Sequence, residues 1–78
     1  MIQIDLNSKG EEIYKWILKH KGSSVDEIVN RFKSDKYPIY KVLDDLRVLQ
    51  KKGLIKKKFE NDIAVFYPTI DAILSEQE

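Results

Sequence analysis

Apolar residues recur at three- and four-residue intervals through the first two thirds of this chain, then give way to two short β-branched and aromatic runs. Ile13, Trp16 and Ile17 fall on one face of a first helix, with Lys15 and Lys19 turned away from it. Val25, Ile28 and Phe32 mark the buried stripe of a second helix of roughly nine residues. A third stripe, Ile39, Val42, Leu43, Leu46 and Leu49, is expected to face the core. Tyr40, Lys41, Asp44, Arg47, Val48 and Lys51 project from the other side of that helix. Leu54 and Ile55 open a strand that runs to Phe59, and Ile63 to Tyr67 reads as its return strand.

Residues that start and stop elements support this division. Ser8 with Glu11 forms a capping-box pattern, with Leu6 just before it, and the first helix is expected from about Lys9 to Lys21 before a left-handed stop at Gly22. Ser24 with Glu27 repeats the box at the second helix, which Ser34 and Asp35 close as turn residues. Pro38 suits the first turn of the third helix, expected to run to about Lys52 before Gly53. Glu60, Asn61 and Asp62 supply the hairpin turn. Thr69 is placed to cap a short closing helix carrying Ile70, Ile73 and Leu74, and Ile2 and Ile4 alternate like a brief extra strand. The expected fold is mainly α with a small β-hairpin (α+β), a single domain over residues 1–78.

Seventy-eight residues leave room for one small core, and a chain of this size buries only about 60% of its unfolded surface. Apolar residues at both ends, Ile2, Ile4 and Leu6 with Ile70, Ile73 and Leu74, exceed what three helices readily cover. A homodimer through segments 1–7 and 70–78 is the expectation they raise. The chain has no cysteine, which removes disulfides and Cys-based zinc or redox sites. The start lacks the pattern of a signal peptide, and no apolar run approaches the roughly 20 residues of a membrane span, so a soluble cytoplasmic protein is expected.

The net charge of +1 conceals an uneven distribution. Residues 1–35 carry six bases and six acids. Residues 36–58 carry eight bases against Asp44 and Asp45, a local surplus of six, and residues 59–78 carry five acids and no base. Such a segment favours polyanions although the whole molecule is close to neutral. The alternative reading of Lys51 to Lys58 is a solvated helix end and strand face, because cations are stabilised at a helix C-terminus anyway. Catalytic patterns are missing: there is no glycine-rich phosphate loop or metal-spaced cluster, and His20 stands alone. Asp44 and Asp45 diverge by about 100° on a helix, which argues against a shared acid–base site. The sequence reads as a non-enzyme without a cofactor, a metal or an evident small-molecule ligand.

The segment KVLDDLRVLQKKGLI, followed by a hairpin and preceded by SSVDEIVNRF, resembles the winged helix-turn-helix domains of small transcription regulators of the MarR, ArsR and related archaeal kinds, over roughly residues 8–69. The resemblance implies a three-helix core with a wing and a short C-terminal helix. It also implies sequence-specific binding of double-stranded DNA, with helix 38–52 in the major groove and wing 54–67 on the backbone. It nominates Tyr37, Tyr40, Lys41 and Asp44 for base or sugar contact, since recognition helices read with their N-terminal residues. Lys36, Arg47 and Lys51 complete the surface on and before that helix. Lys56, Lys57 and Lys58 on the wing suit sequence-independent neutralisation of phosphates. The wing tip Glu60-Asn61-Asp62 carries no arginine, and the turn before the third helix is Lys36-Tyr37-Pro38 rather than small hydroxyl residues. Two other uses of the same fold remain open, a protein–protein interaction module and a non-specific chromosome-coating protein.

Overall fold

The computed structural model describes residues 8–69. In order these form α1 (Ser8–Lys19), β1 (Ser23–Ser24), α2 (Val25–Phe32), α3 (Ile39–Lys51), β2 (Ile55–Glu60) and β3 (Ile63–Pro68). The fold is a winged helix, with three helices packed against a three-stranded antiparallel sheet of order β1-β3-β2. The expected strand at Ile2 and Ile4 and the closing helix with Ile70, Ile73 and Leu74 lie outside the described residues. So do segments 1–7 and 70–78 as dimer contacts.

The helix ends follow local chemistry. Ser24 is an extended N-cap whose Oγ accepts from the Glu27 amide at 3.1 Å, while the Glu27 carboxylate accepts from the Ser24 amide, so both halves of the expected capping box are present. Pro38 stands at the N-cap of α3 with no side-chain cap bond, one position outside the helix. At the other end of α3 the Leu54 amide donates to the Leu49 carbonyl and the Gly53 amide to that of Gln50, both at 3.0 Å. This is the Schellman arrangement, with Gly53 at φ +74° supplying the left-handed residue and buried Leu49 and Leu54 packed beside it. It turns the chain from helix into wing within three residues.

The core consists of Ile13, Tyr14 and Ile17 from α1, Ile28 and Val29 from α2, Val42, Leu46 and Leu49 from α3, Leu54 from the turn before β2, and Ile55 and Phe66 from the sheet. Trp16, Val25 and Phe32 are partly buried and pack against it. Trp16 stacks on His20 with ring centres 3.8 Å apart, and the Arg31 guanidinium lies 4.9 Å from its ring, so the lone histidine has a packing role.

Two expectations about α3 need correction. Ile39 and Leu43 were assigned to the core face but are 48% and 40% exposed. Asp45, assigned to no face, is buried at 7%. At about 100° per residue Asp45 lies beside Val42 and Leu49, whereas Ile39 and Leu43 rotate toward the exposed edge. The buried stripe is therefore rotated by roughly 45° around the helix, about half a residue's step, toward Asp45. A carboxylate tolerates that place because the Tyr37 hydroxyl donates a hydrogen bond to it.

Candidate nucleic-acid interface

The turn between α2 and α3 is tied by reciprocal backbone bonds between Ser34 and Tyr37, with the Ser34 Oγ also accepting from the Tyr37 amide. This places Tyr37 over the first turns of α3, half-buried, with its hydroxyl on Asp45. Lys9 and Lys41 each hold their ammonium 5.8 Å from its ring centre. Tyr37 is thus a positioning residue that anchors the start of α3, and its ring faces are shared with two cations. Tyr37, Lys41 and Asp44, nominated together by the sequence, line one open depression of about 370 Å³ with Asp45 and Val48.

Tyr40 points elsewhere. It is 63% exposed and lines a second open depression of about 500 Å³ with Lys33, Ser34, Asp35, Pro38 and Ile39. Arg47 lies about two turns further along α3 and pairs with Asp44 at 3.6 Å; both side chains are largely exposed, so the pair contributes little to stability. Its effect is electrostatic, because the aspartate that would repel a polyanion is neutralised by its own neighbour. Val48 is 40% exposed, turned away from the core as its position indicated. Lys36 in the turn and Lys51 at the helix end are exposed, and neither has an ion-pair partner among the described residues.

The wing is arranged differently. Asn61 and Asp62, at φ +54° and +64°, form the two-residue turn with both residues left-handed that matches the twist of a hairpin. β2 is an edge strand, and Lys56, Lys57 and Lys58 on it are all exposed, without an ion-pair partner among the described residues. Strand alternation divides them. Lys56 and Lys58 share the outer face, where the Lys58 ammonium sits 5.2 Å from the Tyr67 ring, and Lys57 lies on the opposite face beside Phe59. Lysines on an edge strand also discourage pairing with another sheet, which is their plain structural use. On the outer face the Tyr67 hydroxyl donates to the Glu60 carboxylate at 2.6 Å. That bond, then loss of solvent, then the Glu60 charge raise the Tyr67 pKa above its ordinary 10.0.

Sequence reasoning missed Asp45, which the angular position on α3 could have revealed, and Lys9, whose approach to Tyr37 is a tertiary contact with no local signal. It also passed over Phe59 as a plain strand residue, although that ring is 69% exposed. Among the described residues no group of three or more His, Asp or Glu side chains is gathered as a metal site. No helix there is long and apolar enough to cross a membrane.

No family model and no curated protein matches the sequence. Solved structures do. Lactococcus lactis ZitR, described as a zinc-responsive MarR family member, aligns with 99% of this chain at a TM-score of 0.74 and 25% identity. Two ZitR variants align with 99% and 96% of it, each at a TM-score of 0.77, with 20% and 22% identity. The chain spans about half the length of these neighbours, 51–53%. The winged helix resemblance drawn from residues 8–69 therefore holds at the level of fold.

Proposed function

We propose that this protein binds double-stranded DNA as a sequence-specific transcription regulator, with α3 in the major groove and the wing on the backbone. The observation that carries the reading is the junction at Gly53. There the Schellman turn holds an edge strand with three lysines free of carboxylate partners directly after a helix whose outer face carries Tyr40, Lys41, Arg47 and Lys51. Such a combination supplies phosphate neutralisation and base contact from adjoining elements. The likeness to a MarR family member supports the same assignment by analogy of fold. The apolar residues of segments 1–7 and 70–78 are assigned to a homodimer contact, which would present two α3 helices to half-sites about one helical turn apart.

Selection of bound duplexes from a random pool tests the reading. Enrichment of a two-fold-related sequence is the expected result. Binding without enrichment would indicate a chromosome-coating role instead. A second reading, a protein–protein module, is favoured by one observation: Ile39, Tyr40 and Leu43 are exposed on α3, and the first two border an open depression with Pro38. Failure to retain any duplex at low salt would select it.

A further inference from the structure

Phe59 is the most exposed of the large apolar side chains among the described residues, and only Glu60 separates it from the turn that ends the wing. Strand alternation places its ring on the face that begins at buried Ile55 and passes through Lys57, whose ammonium stands 5.7 Å from the ring centre. Its cross-strand neighbour is Ala64, whose methyl group leaves the flank of the ring open. The adjacent carboxylate, Glu60, is held on the other face by Tyr67. The inner face of β2 beyond Ile55 thus offers one cation and one aromatic ring, with no acid between them.

We infer that Phe59 is an apolar wedge that enters the minor groove and partly unstacks one base step when the wing lies on a duplex, while Lys57 takes the adjacent phosphate. The inference rests on the duplex-binding reading above. A wing with Asn61 and Asp62 at its turn has no cationic side chain there to reach into the groove. An exposed phenyl ring gains instead by leaving water and stacking against the face of a base at the opened step. Unstacking costs least at flexible pyrimidine–purine steps, so the ring adds sequence preference at a position where it makes no hydrogen bond. Phe59 is in this sense a specificity-determining residue.

The test uses the full chain and a duplex recovered from the random pool, or a mixed-sequence duplex if none is enriched, with 2-aminopurine placed at successive steps. Wild-type protein is expected to raise the emission several-fold at one step. Phe59→Ala, at a site too exposed to disturb folding, is expected to bind about tenfold more weakly and to lose the rise, with Phe59→Leu retaining part of it. Wild-type binding without a rise at any step, or a rise that persists in Phe59→Ala, overturns the wedge and leaves duplex binding standing. Absence of wild-type binding overturns both. If Phe59→Ala leaves the emission unchanged and converts a sedimenting dimer to a monomer, the ring belongs to a contact between copies and the wedge is likewise overturned.

Discussion

The outer face of α3 and the wing stem adjoin in sequence and differ in what they offer a partner. On α3 the acid Asp44 pairs with the base Arg47, while Ile39, Tyr40, Leu43 and Val48 contribute exposed apolar surface. On β2 three consecutive lysines have no ion-pair partner among the described residues, and the one acid on the strand itself, Glu60, is bound by Tyr67. A surface of shape and mixed polarity beside a strand of uncompensated charge divides the labour of binding. On the proposed reading, the strand would set affinity through phosphates and the helix would set choice through base edges.

The largest expected effect follows from removing the charge. Lys56, Lys57 and Lys58 all changed to alanine should weaken binding to every duplex alike and reduce the slope of log affinity against log salt by up to about 2.7, at roughly 0.9 for each phosphate no longer neutralised. Fluorescence anisotropy at several salt concentrations measures it. Tyr40→Ala should leave that slope nearly unchanged and shift the preferred sequence, with discrimination at one base pair falling by about 1–3 kcal/mol, as read by competition between duplexes. If both variants lose affinity and slope together, the two regions do not differ as described.

Two further substitutions examine how the helix is held. Tyr37→Phe keeps the ring but deprives buried Asp45 of a hydrogen bond, and it is expected to lower stability by about 1–3 kcal/mol in urea unfolding. Gly53→Ala introduces a Cβ that meets nothing within 4 Å, so its cost is the left-handed backbone alone, about 1 kcal/mol in the same measurement. The equivalent change at Gly22, φ +85°, should cost more, because the added Cβ would lie 3.0 Å from the Tyr67 hydroxyl.

The smallest effect is alkaline. Tyr67 has a folded pKa above 10.0, so the folded state keeps its proton where the unfolded chain has lost it. The contribution is fully present below pH 10.0 and is lost as pH rises from there through the raised value. Tyr67→Phe should therefore unfold with a flatter dependence on alkaline pH than the wild type.

What the sequence revealed follows the range of the interactions involved. Ser24 with Glu27, Gly22, Gly53 and the turn around Asn61 act within a few residues, and their elements appeared within about two positions of where they were expected. The sheet's third member, β1, was not anticipated, because two serines become a strand only through pairing with Val65 and Phe66. The rotation of α3 was misjudged for a related reason: a carboxylate reads as exposed until Tyr37, eight residues earlier, is seen to satisfy it. At the candidate interface the lysines of the wing were legible as charge. Their division between two faces, and the exposure of Phe59 beside Lys57, depended on strand register.

The central claim is that this fold presents a duplex-binding surface whose affinity comes from unpaired lysines on the wing. Titration of wild-type protein into a labelled duplex across a series of salt concentrations tests it most directly. The predicted result is a linear fall of log affinity with log salt and a slope of several units, at roughly 0.9 per phosphate neutralised. Affinity that stays level as salt rises, or no binding at the lowest salt, would contradict it.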